Sequence, residues 1–244
     1  VMVDWMPSAL AAREKGLPLV NIAQPFKSSG MMLTCRKDMG VNTTADLKGK
    51  TLGVWFYGNE YPFLSWMSRL GLKTDGSSDG VTVLKQGWGV EPLTEGQAAC
   101  VSTMSYNEYW VVRDAGYTPE QLTVFKYQEE GAATLEDGLY VHEKNMSDPV
   151  FKDKMVRFVR ASMKGWKYAE DNPKEAAMII LENDDAGVQT EKHQVRMMGE
   201  IAKLTAGSNG SLDPADYERT VKVLMSGASD PVITKKPAGA WSHE

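Results

Sequence analysis

The sequence has 244 residues, of which 42% are hydrophobic and 24% are charged, and its formal net charge is −5. This is an ordinary globular composition, and the length fits one large domain or two small ones. The acidic balance gives no hint of the basic face that duplex nucleic acid requires, and no apolar stretch approaches the roughly 20 residues of a membrane span. We therefore expect no nucleic-acid partner.

The chain opens with a strand that leads directly into a helix. Ser8 is the expected N-cap of a helix over 9–15, and Gly16 is its expected stop. Asp4, Trp5 and Ser8 bring an aromatic ring and polar groups to the end of a strand. We take these three as candidate ligand-binding residues.

Strands are predicted over 19–26 and 31–36, and the next unit, over 47–72, carries most of the candidate residues. Its apolar run Thr51–Phe56 predicts a strand, and a helix follows the break at Gly58-Asn59. The expected apolar side of that helix comprises Phe63, Leu64, Trp66, Met67 and Leu70, with Gly71 as the stop. The candidate ligand-binding residues of the loop are Trp55, Tyr57, Gly58, Asn59 and Glu60.

Two interpretations of this loop stay open. Trp55 and Tyr57 either recognise a flat ligand or belong to the core, and Asn59 is either a ligand contact or only a helix N-cap. Strand alternation places Trp55 and Tyr57 on the face opposite Val54 and Phe56, so one core layer cannot bury both sets. We favour the ligand interpretation.

A second strand-to-helix junction follows the predicted strand over 100–104. Tyr106 and Asn107 open the helix there and are candidate ligand-binding residues, although an amphipathic helix with its aromatic side in the core explains them equally well. For Trp110 we favour the core. Later, Glu136 precedes a strand over 138–141 and is a candidate acceptor for ligand amino groups, against the commoner alternative of a solvated acidic loop.

The last hundred residues are mostly helical. Helices are predicted over 149–170, 174–182, 190–205 and 214–225, whereas the first part alternates strands and helices. The alternation predicts an α/β fold with a largely parallel sheet and crossover helices.

Cys35 and Cys100 each lie in an apolar, strand-like run. Two buried free thiols are the favoured interpretation, and a disulfide is the alternative that requires export.

The sequence shows no assembled catalytic, metal or cofactor site. The three histidines lack metal-ligand spacing, and the nucleophile elbow, phosphate loop and dinucleotide fingerprint are all absent. Three strand-to-helix junctions nevertheless carry aromatic and amide groups, which all belong at the carboxyl edges of their strands. This convergence favours binding of a small molecule over catalysis, with no catalytic residue, metal or cofactor expected.

Four segments carry a resemblance to a known family: SALAAREKG, ADLKGKTLGVWFYGNEYPF, YNEYW and the helical tail that starts at EKNMSDPVF. Across nearly the whole chain they resemble the extracytoplasmic solute-binding proteins of ABC importers. The segment GVWFYGNEYPFLSW resembles the branch that binds the pyrimidine precursor of thiamine, which is related to nitrate, taurine and alkanesulfonate binders.

The resemblance implies a two-lobed, type II periplasmic-binding-protein fold with hinge strands. Lobe I would comprise 1–40 and 136–244, and lobe II 41–135. It also implies that strand–helix units of lobe I precede Val1, together with any export signal. The implied function is capture of a small flat heteroaromatic between two lobes, by a periplasmic monomer that delivers it to an ABC permease in the membrane. A pyrimidine-synthesis enzyme of the same fold and a binder of sulfonate-type or nitrate-type anions remain alternatives. We expect no Lys or Arg near the aromatic and carboxylate groups of the junctions, which argues against an anion.

Overall fold

The computed structural model describes residues 1–226 and 231–243. The strands are β1 (Met2–Asp4), β2 (Leu19–Ala23), β3 (Met31–Arg36), β4 (Thr51–Val54), β5 (Thr82–Lys85), β6 (Cys100–Met104), β7 (Leu122–Lys126) and β8 (Gly138–His142). The helices are α1 (Met6–Glu14), α2 (Glu60–Arg69), α3 (Glu91–Thr94), α4 (Glu108–Asp114), α5 (Pro149–Asp171), α6 (Pro173–Glu182), α7 (Glu191–Thr205) and α8 (Pro214–Met225). Among the helices of these residues, none combines the length and the apolar character of a membrane span.

Helix starts follow local chemistry. The carboxylate of Asp148 accepts from the backbone N–H of Val150 at 2.9 Å, and Pro149 occupies the first turn of α5, as predicted. For α1 a helix was predicted, but the predicted N-cap, Ser8, was wrong. Trp5 is its N-cap residue and Pro7 lies in the first turn, so Ser8 is already the third helical residue.

The chain forms two compact units. Unit 1 comprises Val1–Ser29, Thr134–Val221 and Ile233–Glu244 as far as these ranges are described. Its sheet has the order β1-β8-β2 and is antiparallel throughout, with Asp4 opposite Gly138 and Leu19 opposite His142. The expectation of a largely parallel sheet is therefore wrong for this unit.

Unit 2 comprises Gly30–Ala133 and the described part of Lys222–Val232. Its five strands have the order β5-β4-β6-β3-β7. The ladders of β4 with β5 and with β6 are parallel, whereas those of β3 with β6 and β7 are antiparallel. The sheet is thus mixed, and its parallel part contains the strands that precede the candidate loops.

The unit boundaries differ from the expected lobe boundaries at two places. Residues 30–40 were assigned to lobe I, but β3 pairs with β6 and β7 and so belongs to unit 2. The C-terminal end of α8, from Lys222 on, also belongs to unit 2, where the hydroxyl of Ser65 donates to the backbone oxygen of Val223 at 2.9 Å. That the units are lobes which close on a ligand stays a prediction.

Helix α2 packs on the core of unit 2 through Phe63, Trp66 and Met67, each at most 1% exposed. Trp66 also contacts the ring of Tyr127, with 5.3 Å between ring centroids. Leu64 and Leu70 are 37% and 38% exposed, so the predicted apolar side of α2 was drawn too wide.

Cys35 and Cys100 form a disulfide, so the favoured interpretation of two free thiols is wrong. They are directly opposite each other on the antiparallel strands β3 and β6, and both are fully buried. Two apolar runs 65 residues apart gave no sign of this pairing, because only the sheet register brings them together.

Replacing both cysteines by alanine should lower the free energy of unfolding by about 2–4 kcal/mol, since the bridge constrains a long loop in the unfolded chain. Urea titration of the variant and of the unreduced parent measures the difference. Thiol titration of the denatured, unreduced parent is the control. Two reactive thiols per chain there would contradict the disulfide.

Candidate functional site

The parallel part of the unit 2 sheet contains a topological switch point. From β4 the chain crosses to β5 on one side, and from β6 it leaves through α4 towards β7 on the other side. In α/β sheets such a point leaves a crevice outside the carboxyl ends of the two strands, and ligands bind there. The loops 55–59 and 105–107 follow β4 and β6, so the sheet brings both predicted junctions to one edge.

The loop after β4 is a tight turn with an exposed aromatic side chain. The strand ends at Val54, two residues earlier than predicted. Tyr57 has φ of +68° and Gly58 has φ of +110°, and Tyr57 is 86% exposed. Left-handed backbone at a non-glycine residue is a feature concentrated at functional sites. Tyr57 is not a core residue, and Trp55 is only partly buried.

Two contacts connect this loop to the segment after β5. The indole N–H of Trp55 donates to the backbone oxygen of Gly87 at 3.0 Å. The Lys85 ammonium lies 4.8 Å from the centroid of the Tyr57 ring and donates to its hydroxyl at 3.3 Å. The sequence interpretation held that no Lys or Arg lies near the loop, and that was wrong. Lys85 is the last residue of the neighbouring strand.

The remaining loop candidates close the turn into α2. The Glu60 carboxylate accepts from the backbone N–H of Gly58 at 2.7 Å. Asn59 occupies the N-cap position but makes no side-chain capping bond, and its amide lies 3.5 Å from the backbone oxygen of Phe56. Asn59 is therefore not the simple N-cap that the alternative interpretation required.

The junction after β6 is held by the partly buried carboxylate of Glu108. Glu108 accepts from the backbone N–H of Met104 at 2.9 Å and from the Asn107 side chain at 2.7 Å, and burial raises its pKa. The indole N–H of Trp110 donates to the backbone oxygen of Ser105 at 3.0 Å. Tyr106, Asn107 and Trp110 are all partly buried, so Trp110 braces the loop and is not a fully buried core residue.

Unit 1 carries a carboxylate cluster of its own at one end of the β1–β8 ladder. Trp5 donates its backbone N–H to Asp4 at 2.9 Å, and its side chain hydrogen-bonds Asp137. Burial raises the pKa of both carboxyl groups, and the charge of Asp4 raises that of Asp137 further. Ser8 lies one turn into α1 and is partly buried.

Glu136 is 1% exposed and accepts from the Ser29 hydroxyl at 2.5 Å. Its backbone oxygen accepts from the side chain of Gln24, itself buried, at 2.8 Å. Glu136 is therefore part of a buried polar network in unit 1, and the alternative of a solvated acidic loop does not apply to it.

The comparisons with known proteins agree with this architecture. A profile of the family described as NMT1/THI5 like matches residues 2–176. The chain belongs to this family. Within the described residues, no group of three or more His, Cys, Asp or Glu side chains could hold a metal ion.

The similarity extends to a curated protein and to solved structures. The chain is 24% identical over 234 residues to the formylaminopyrimidine-binding protein of Halalkalibacterium halodurans, covering 91% of this chain and 67% of that one. It matches the periplasmic aliphatic sulphonate binding protein SsuA of Escherichia coli with a TM-score of 0.72 at 12% identity, covering 100% of this chain and 76% of that one. The desulfurization enzyme DSZB gives a TM-score of 0.63 at 15% identity, covering 97% and 80%. The fold is thus that of the periplasmic binding proteins, and this α/β architecture was predicted.

Two residues at the edge of the unit 2 sheet, Lys85 and Trp88, were not among the candidates drawn from the sequence. Lys85 is the last residue of β5, and Trp88 lies in the segment that follows it and is 97% exposed. A tryptophan between two glycines, directly after a strand, was the available signal. For Asp137, which adjoins Glu136 in the sequence, the contact with Trp5 depends on the β1–β8 register and could not be inferred from the sequence.

The carboxyl groups of Asp4 and Asp137 bind a proton more tightly in the folded protein than at their ordinary pKa of 3.8. Their contribution to stability is therefore most favourable below pH 3.8 and is lost as the pH rises through the raised values. Asp137→Asn, which keeps an acceptor for Trp5, should raise the melting temperature of the ligand-free protein at pH 7 and give no gain at the acid end. Calorimetry across this pH range measures it.

Asp38→Asn is the matched control for this prediction. The Arg36 guanidinium lowers the pKa of Asp38, so its contribution has the opposite sign and is present above pH 3.8. Asp38→Asn should leave the melting temperature at pH 7 unchanged or lower. A lower melting temperature for Asp137→Asn at pH 7 would show that its carboxylate stabilises the fold.

Proposed function

We propose that this protein is the solute-binding receptor of an ABC importer and that its ligand is a small, flat aminopyrimidine, such as a precursor of the thiamine pyrimidine. The observation that carries the proposal is the pair of loops at the β4–β6 switch point, which present aromatic rings and amide groups at one edge. Membership of the NMT1/THI5-like family and the similarity to a formylaminopyrimidine-binding protein support it.

The aromatic groups of unit 2 suit a flat ligand. Trp55, Tyr57 and Tyr106 are partly or largely exposed, and none is fully enclosed in the core. Ring stacking supplies affinity with little dependence on ligand charge, and the amide of Asn107 and the carboxylate of Glu60 add orientation through hydrogen bonds. Asn59 and the backbone of Gly58 belong to the same turn.

The carboxylates of unit 1 favour a ligand with amino groups over an anion. Asp4 and Asp137 are partly buried, and a ligand N–H donor offers each an alternative to water. Glu136 is fully buried and already accepts from Ser29, so its proposed contact with the ligand requires an exchange of partners. A sulfonate or nitrate would meet like charge there. Trp5 and Ser8 stand at the same end of β1 and complete the proposed recognition residues of this unit.

One observation favours an anion as the second candidate ligand. Lys85 lies against the Tyr57 ring and supplies a cation at the edge of the β4 loop. A sulfonate could pair with it, as the similarity in fold to a sulphonate binding protein allows. Lys85 already interacts with two aromatic rings, those of Phe56 and Tyr57, which offset its charge in part.

The proposal includes a membrane partner and a compartment. A receptor of this kind hands its ligand to an ABC permease, and we propose that it does so as a monomer outside the cytoplasm. The disulfide between Cys35 and Cys100 supports an oxidising compartment. Binding without chemical turnover is proposed, because neither unit presents an assembled nucleophile–base pair at the edges described above.

Titration calorimetry with a formylaminopyrimidine, its unformylated aminopyrimidine and an alkanesulfonate tests the ligand class. We expect heat from the pyrimidines only, and mass spectrometry should recover them unchanged. Binding of the alkanesulfonate alone, abolished in Lys85→Met, would replace the aminopyrimidine by an anion. A chemically altered pyrimidine would make the protein an enzyme.

Tyr57→Ala tests the aromatic loop directly. Tyr57 is 86% exposed, so its truncation should leave the melting temperature of the ligand-free protein nearly unchanged. If its ring stacks on the ligand, the binding free energy should fall by about 1–3 kcal/mol. Trp55→Ala should weaken binding to a similar extent, with some loss of stability because its indole N–H bonds Gly87.

Tyr168→Ala is the matched control, because Tyr168 is a 42% exposed tyrosine on α5 in unit 1. Its affinity for the pyrimidine should equal that of the parent. Unchanged affinity in both Tyr57→Ala and Trp55→Ala would remove the β4 loop from the site and leave the receptor function to be carried by other residues.

A further inference from the structure

Strands β4 and β6 separate before either of them ends. Their parallel ladder contains Leu52 opposite Cys100 and Gly53 opposite Val101, and β6 then continues to Met104 against β3 alone. The backbone N–H and C=O of Ser102 therefore face β4 without a backbone partner there. Ser102 is fully buried, so these groups need hydrogen bonds from another source.

The side chain of Gln86 supplies them. Its Oε1 accepts from the backbone N–H of Ser102 at 2.9 Å, and its Nε2 donates to the backbone oxygen of the same residue at 2.9 Å. These are the paired bonds that a neighbouring strand would make. Nε2 also donates to the backbone oxygen of Gly89 at 3.1 Å, and Gln86 is only 5% exposed.

The backbone of Gln86 is fixed at the same time. Its N–H donates to the backbone oxygen of Val54 at 3.0 Å, which extends the β4–β5 ladder by one bond. Gln86 thus connects the last residue of β4, the interior of β6 and the segment that carries Trp88. These are the points from which the loops at the switch point begin.

Gly53 makes room for this arrangement. A Cβ atom at Gly53 would lie 2.9 Å from Cγ1 of Val101 and 3.2 Å from Oε1 of Gln86. The Ser102 hydroxyl also donates to the backbone oxygen of Gly53, at 3.3 Å. A side chain at position 53 would therefore clash with Val101 on the neighbouring strand and with the carboxamide of Gln86.

We propose that Gln86 is a positioning residue for the ligand site of unit 2: its carboxamide sets the separation of the carboxyl ends of β4 and β6, and thereby places the loop 55–60 relative to the loop 105–108. This inference rests on the function proposed above. Gln86 need not touch the ligand. A carboxamide is required because Ser102 must receive one acceptor and one donor from a single side chain.

Gln86→Met tests the proposal, because methionine keeps the length of the side chain and removes all three hydrogen bonds. In the ligand-free protein, amides of 55–60 and 102–108 should exchange with deuterium about tenfold faster, the factor that one lost buried hydrogen bond gives. Amides of β7 should keep the parent rate. The affinity for a formylaminopyrimidine should fall by about tenfold or more.

Thr103→Val is the matched control. It removes a buried hydrogen bond of 2.7 Å between Thr34 and Thr103 in the same sheet, but one that connects β3 with β6 and reaches neither loop. Its melting temperature should fall, while its affinity and the exchange of both loops should stay at parent values. Loop exchange that rises equally in Thr103→Val would reduce Gln86 to a general stabiliser and overturn the proposal.

Gly53→Ala provides a second perturbation if Gln86→Met does not fold. The added methyl group presses on the carboxamide from the other side, so the same amides should exchange faster and the same affinity should fall. Parent-like loops and affinity in the folded variants would overturn the positioning role. If the parent itself binds no pyrimidine, the proposed function fails, while the exchange data on the ligand-free protein still decide whether Gln86 places the loops.

Discussion

The separation of β4 and β6 after Gly53 and Val101 is the constraint on which the proposed site depends. In a parallel sheet, a crevice opens outside two neighbouring strands where their connections leave to opposite sides, and early separation of the strands widens it. Here the pairing stops early, and the connections from the two strands leave in opposite directions. The loop with Tyr57 and the loop with Tyr106 therefore start from strand ends that have already separated, which is the geometry of a ligand crevice.

Opening a ladder inside a buried sheet has a physical cost, because the exposed backbone groups lose their partners. The structure offsets this cost with one carboxamide and one glycine. Gln86 returns both hydrogen bonds to Ser102, and Gly53 leaves the volume in which that carboxamide lies. The polar side chain of Gln86 lies inside the sheet because the strands separate at this point. In our proposal it also positions the aromatic loops that follow β4 and β6.

Local pattern was sufficient to predict most elements of this chain. Periodicity marks the strands and helices, and helix-end residues such as Asp148 and Gly71 are signals that extend over only a few residues. It failed where distant segments decide. The pairing of Cys35 with Cys100 follows from register, and the strand directions of the two sheets follow from long-range pairing, neither of which a local pattern contains. The same holds for the site: Tyr57 and Glu136 were visible as residue types at junctions, whereas the approach of Lys85 to Tyr57 depends on the β4–β5 ladder.

The charges at the two candidate edges differ in sign, and this difference bears on ligand chemistry. In unit 1, Asp4 and Asp137 bind protons more tightly than usual, so folding loses stability by keeping them ionised at neutral pH. Stability lost at a strand end is a reason to look for function there. In unit 2, the Lys85 ammonium makes cation–π contacts with the rings of Phe56 and Tyr57. Within unit 1, a ligand that donates hydrogen bonds would relieve the two carboxylates. Within unit 2, an anion would have to draw the lysine away from its two rings. Taken separately, the carboxylates of unit 1 favour a ligand with N–H donors, and Lys85 of unit 2 is the group that would favour an anion.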